Sequence, residues 1–196
     1  MPSRIRYTFG EEEEHVLPEQ SQPNSKTRRF LELHGPASSL LARLVEVYDA
    51  QSVSDGDQAD VVPPAPGPDM LTLVTPIEPA SATIRVTFLN DSGLLLAGGA
   101  RLCLAFPMCA CDACGASPEY EWERFRAAVN SIVSGKFWER VSLPILGSAH
   151  YEFVLGNIDD PLGIDSQRQL ISRDEARALR SAVPRDSRWL EWTPRV

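Results

Sequence analysis

Residues 82–106 constrain the fold more tightly than any other part of this chain. Over 82–89 (ATIRVTFL) Ile84, Val86 and Phe88 alternate with Arg85 and Thr87, the period-two pattern of a half-buried strand. Asn90-Asp91-Ser92-Gly93 then reads as a turn, with glycine free to take a positive φ. Residues 94–106 (LLLAGGARLCLAF) return as a strand, with a bend or bulge expected at Gly98-Gly99. A hairpin of this kind has one apolar face to cover. The flanking helices supply the cover.

Two main helices are marked by caps and periodicity. Gly35-Pro36 precedes Leu40, Leu41, Leu44, Val45 and Tyr48 at helical spacing, so a helix is expected over about 37–50. Ser117 is a candidate N-cap, Pro118 suits the first helical position, and Glu119, Glu121 and Glu123 favour the positive end of the dipole. Trp122, Phe125, Val129, Ile132 and Val133 form the expected buried stripe, and Gly135 is a left-handed stop. Further strands are expected over 70–77, 137–143 and 150–155, with a short helix from about 173 to 181 after Ser172. Hairpins flanked by helices, without β-α-β alternation, give an α+β class. The expected fold is a small antiparallel sheet of about four to five strands, two main helices packed on one face and a short C-terminal helix.

Charge divides the chain. It has 196 residues and a net charge of −8, yet from Glu46 to Ile84 seven acids and no base account for −7 of it. Within that stretch 51–68 (QSVSDGDQADVVPPAPGP) is poor in large apolar side chains and reads as an exposed acidic loop. From Gln167 to Val196 seven Arg face four acids, a net of +3. Residues 1–33 read as a weakly ordered segment containing the charge run Glu11 to Glu14, and 34–196 as a single α+β domain. The acidic balance argues against a nucleic-acid-coating protein. No apolar run is long enough to span a bilayer, and the first residues lack a signal-peptide core, so no membrane and a cytoplasmic location are expected.

All four cysteines lie close together: Cys103, Cys109, Cys111 and Cys114. Cys109-x-Cys111-x-x-Cys114 puts three soft ligands on one turn, a set that suits zinc, with Cys103 or His150 as candidates for the fourth position. Cys103, between Leu102 and Leu104, also reads as a plain buried core cysteine. Alternatively Cys111 and Cys114 form a C-x-x-C ahead of a helix N-terminus, a redox arrangement that Asp112 opposes. The third reading is a loop of reduced thiols with a local structural role.

The residues Val86-Thr87-Phe88, Gly93-Leu94-Leu95, the core Phe106-Pro107-x-Cys109-x-Cys111-Asp112-Ala113-Cys114 and Ser134-Gly135-Lys136-Phe137 resemble a family of small actinobacterial proteins known as a domain of unknown function, DUF6226. The segment HGPASSLLARLVEVYDA and the ending Trp189-Leu190-Glu191-Trp192-Thr193-Pro194 are similar to it too. The resemblance implies a bacterial intracellular protein and carries no activity, substrate or cofactor.

Phosphate loops and nucleophile elbows are absent, and no catalytic or cofactor-binding residue is assigned. Asp159-Asp160 before Pro161 reads as a turn. Trp189 and Trp192 among Arg188 and Arg195 could stack nucleic-acid bases in principle, but docking of the tail onto the core is the preferred reading, and no nucleic-acid partner is expected. The leading function is a non-enzymatic accessory or protein-interaction domain with a structural cysteine loop for which zinc is the candidate ligand. A thiol-dependent redox enzyme using Cys111 and Cys114 is the alternative, and an immunity or antitoxin-like partner protein the third.

Overall fold

The computed structural model describes residues 28–54, 69–90, 92–108, 115–156 and 165–196. Strands β1 (Ala50–Ser54), β2 (Met70–Pro76), β3 (Ile84–Phe88), β4 (Leu94–Gly98) and β5 (Leu102–Phe106) form an antiparallel sheet in chain order. A second, three-stranded antiparallel sheet holds β6 (Phe137–Ser142), β7 (Ala149–Leu155) and β8 (Asp165–Ile171). A 3-10 turn (Arg29–Leu33) runs into helix α1 (His34–Val47). Helix α2 (Pro118–Val133) links the two sheets, and α3 (Arg173–Ala182) follows β8. The fold is α+β with a five-stranded antiparallel sheet, as expected in class and strand number, but the strands expected over 137–143 and 150–155 belong to the second sheet.

Register explains the core. Val86 pairs with Leu96, which pairs with Leu104; Phe88 pairs with Leu94, which pairs with Phe106. All six side chains are buried on one face. Helix α2 lays Phe125, Val129 and Ile132 into the same cluster, and the Phe106 and Phe125 rings meet edge to face at 5.4 Å. Burying each such side chain contributes roughly 1.5–3 kcal/mol. Ser117 caps α2, its hydroxyl accepting from the Tyr120 N–H at 3.2 Å. At the other end Gly135 takes φ 66°, its N–H bonds Ile132 O at 3.2 Å, and Lys136 N–H bonds Ser131 O at 2.9 Å. That pair of bonds is a Schellman stop. Trp122 departs from the expected stripe: it is only half-buried, stacked on Phe125 at 5.9 Å.

The chain does not bend at Gly98-Gly99; it reverses. β4 and β5 are separate antiparallel strands, joined through Gly99, Ala100 and Arg101, with Gly98 paired to Leu102. Gly99 has φ 54°, and a Cβ there would collide with the Glu139 carboxylate. The turn is therefore set by a contact from the other sheet, which no local pattern displays. The second sheet and β8 were also unexpected. So was β1, which takes Gln51 to Ser54 from the expected acidic loop by pairing with β2. The rest of that loop, 55–68, lies outside the described residues. The 3-10 turn likewise adds Phe30 and Leu33 to the core from the segment expected to be weakly ordered, while residues 1–27 lie outside the described residues.

The C-terminal tail is a strap. Ser187 O accepts from Glu139 N–H at 2.8 Å, Trp189 N–H bonds Phe137 O at 3.1 Å, Leu190 N–H bonds Ala80 O at 3.0 Å and Trp192 N–H bonds Val133 O at 2.9 Å. Further on, Thr193 O accepts from Asp49 N–H at 2.8 Å and Arg195 N–H bonds Val47 O at 2.8 Å. Trp192 is fully buried and its indole N–H donates to Ala82 O at 3.0 Å. The tail docks, as expected. No helix among the described residues is long and apolar enough to cross a membrane.

Candidate functional site

Cys109, Cys111 and Cys114, the candidate zinc ligands and redox pair, lie outside the described residues. The two candidates for a fourth ligand are described. Cys103 is a free, exposed thiol on β5, opposite Ala97. The buried reading of Cys103 is thereby corrected: Leu102, Leu104 and Phe106 point to the core, so strand alternation sends Cys103 outward. His150 sits half-buried on β7, between Ser142 and Leu170, beside Arg140, Glu152 and Arg168. Cys103 and His150 thus belong to different sheets. Among the described residues no group of three or more His, Cys, Asp or Glu is placed to hold a metal.

Glu139 organises the junction of the sheets. β6 alternates Phe137 and Glu139 inward with Trp138 and Arg140 outward, so a carboxylate enters the core with 0% exposure. It accepts from the backbone N–H groups of Ala100, Arg101 and Leu102 at 2.8, 2.9 and 3.2 Å. The Tyr151 hydroxyl donates to it at 2.5 Å and the Trp189 indole at 2.7 Å. Donors from the β4–β5 turn, β7 and the tail therefore converge on one charged acceptor, which makes each bond stronger than a neutral pair. Burial first, and the adjacent Glu139 charge second, push the Tyr151 phenol well above its usual range. All lone pairs are engaged inside protein, so Glu139 is a structural anchor.

The surface above this anchor is different in kind. The outer row of the small sheet sets Arg140 beside Glu152, and Glu152 beside Arg168. Arg140 donates to Glu152 at 2.6 Å and lies 5.8 Å from the centre of the Trp138 ring. Over the outer side of β6 and the tail paired with it lies an open groove of about 510 Å³, lined by Lys136, Trp138, Arg140, Gly156, Asp186, Ser187 and Arg188. Arg188 reaches it because the tail bridges to Trp138, and its Nε donates to Gly135 O at 3.2 Å. On a chain of net charge −8, this groove has three cations and one carboxylate. The sequence reading missed it. Its only signals were the Trp138 and Arg140 alternation on β6 and the +3 excess after Gln167.

By fold and site this is an α+β protein of two antiparallel sheets with a basic, aromatic-walled groove where the C-terminal strap crosses the smaller sheet. The chain belongs to the family of unknown function DUF6226, which matches residues 3–196. No curated protein and no solved structure matches it.

Proposed function

We propose that this chain is a non-enzymatic accessory protein that recognises an anionic partner on the outer face of its small sheet. The observation that carries the proposal is the groove itself: Lys136, Arg140 and Arg188 line it together with Trp138, against the charge of the rest of the chain. Local positive potential on an acidic protein concentrates an anion at that place and repels it elsewhere, which favours specificity over general adhesion. The backbone bonds of Glu139 to Ser187 and of Trp189 to Phe137 fix β6 and the tail side by side, so the frame of the groove is in place before an anion arrives. In this reading Cys109, Cys111 and Cys114 are a local structural device with zinc as the candidate ligand.

Amide shift mapping by NMR tests the proposal, with an Asp/Glu decapeptide and with tripolyphosphate as probes. The expected shifts cluster on Lys136 to Arg140 and Asp186 to Arg188 with at least one probe. Shifts scattered over the surface, or none with either probe, contradict it.

A further inference from the structure

We infer that the anionic group this groove is built to take is a phosphate monoester dianion, an inference that rests on the anion-recognition reading above. Arg188 supports it first. Its Nε is committed to Gly135 O at 3.2 Å and its backbone N–H to Asp186 at 3.3 Å. The two terminal nitrogens of the guanidinium have no partner among the described residues, while the stem is held in place. A fixed planar fork with two open donors matches two oxygens of a phosphoryl group.

Charge supports it next. Lys136 is exposed and without an ion-pair partner among the described residues, whereas Arg140 shares its charge with Glu152 at 2.6 Å. Lys136 and Arg188 are therefore the two groove cations without an ion-pair partner among the described residues, and Asp186 is the one lining carboxylate. A phosphate monoester, with about −1.5 to −2 at neutral pH and three terminal oxygens, meets both unpaired cations at once, whereas a lone carboxylate has one charge and two oxygens to divide between them.

Backbone geometry supports it last. Ser187, in the groove wall, has φ 64° and is the one non-glycine residue with positive φ among the described residues. Such conformations are strained and persist where the surroundings enforce them, often at binding sites. Here the enforcing contacts are Glu139 N–H on Ser187 O at 2.8 Å and Ser187 N–H on Pro184 O at 2.9 Å. They hold the Ser187 backbone in the groove wall, between Asp186 and Arg188. The volume of about 510 Å³ leaves room for the group that carries the phosphate, with Trp138 as an apolar wall for it.

The phosphate could be carried by a phosphorylated side chain of a protein or by a free small molecule, and calorimetric titration of the full chain separates the two. The probes are a capped phosphoserine pentapeptide, the same peptide with glutamate in place of phosphoserine, and ribose 5-phosphate. The expected result is one-site binding of a phosphorylated probe, weakened at least about tenfold in Lys136→Gln and in Arg188→Gln, with melting temperatures unchanged for the exposed Lys136 variant. Binding of the phosphopeptide alone assigns a protein source, and binding of ribose 5-phosphate alone a small-molecule source. A glutamate peptide that binds as tightly as the phosphopeptide overturns the phosphate inference and leaves anion recognition standing. Absence of binding by all three probes, together with tripolyphosphate, overturns both.

Discussion

The indole N–H of Trp189 donates to Glu139 Oε2 at 2.7 Å, and through that bond the end of the chain is tied to the turn between β4 and β5. The same carboxylate serves both sheets. Glu139→Ala leaves five donors without their acceptor in a dry site. The expected loss is about 3–5 kcal/mol, the range for breaking a buried charged network. Trp189→Phe keeps the ring stacked on Phe137 and removes one donor, so about 1–3 kcal/mol is expected. Urea denaturation of the two variants measures both. Equal and small losses contradict the anchor role of Glu139.

Tyr151 makes stability depend on alkaline pH. Its pKa is raised in the folded state by burial and then by Glu139, so the folded protein holds a proton that the unfolded chain releases. Stability is fully present below the usual tyrosine value of about 10 and falls as pH rises beyond it. Above that value the native state of the wild type should lose about 1.4 kcal/mol per pH unit more than Tyr151→Phe. Denaturation curves at pH 10, 10.5 and 11 give the comparison. Parallel pH profiles contradict the buried pair.

Trp192 tests the strap. Its ring is fully buried and its N–H is bonded to Ala82 O, so Trp192→Ala is expected to cost about 3–5 kcal/mol. A change within about 0.5 kcal/mol means that the tail adds nothing to the core.

How far the sequence led depends on where each signal resides. Helix α2 was legible because its cap, its proline and its stop are local: Ser117, Pro118 and Gly135 act within one turn of the helix they bound. Strands β3 and β7 were legible because one face is buried and one is wet. β1 and β8 are polar edge strands, AQSVS and DSQRQLI, with no alternation to read, and only pairing with β2 and β7 shows them. The Gly99 turn was misread for a related reason. Its geometry is fixed by Glu139, a residue far along the chain. The groove was out of reach too, because Lys136 and Arg188 line one surface only once the tail has paired with β6.

The cysteines keep their own test. Zinc held by Cys109, Cys111 and Cys114 predicts one metal per chain in protein purified without chelator, released by replacing any of the three with Ser, with stability falling by several kcal/mol. Redox chemistry predicts instead that Cys111→Ser and Cys114→Ser abolish thiol exchange with little change in stability. Reduced thiols of local structural use predict neither. Exposed Cys103 is the internal control, and Cys103→Ser should stay within about 0.5 kcal/mol of the wild type. A colorimetric zinc assay with melting curves on the four variants separates these outcomes.

Charge reversal at matched positions tests anion recognition most directly. Arg188→Glu and Arg177→Glu change the net charge equally, but Arg188 lines the groove while Arg177 sits exposed on α3, paired with Asp174 at 2.5 Å. Tripolyphosphate affinity, measured by calorimetry at one ionic strength, should fall at least about tenfold in Arg188→Glu and stay within about twofold in Arg177→Glu. Equal losses in the two variants would mean that the anion responds to overall charge and that the groove is not a recognition site.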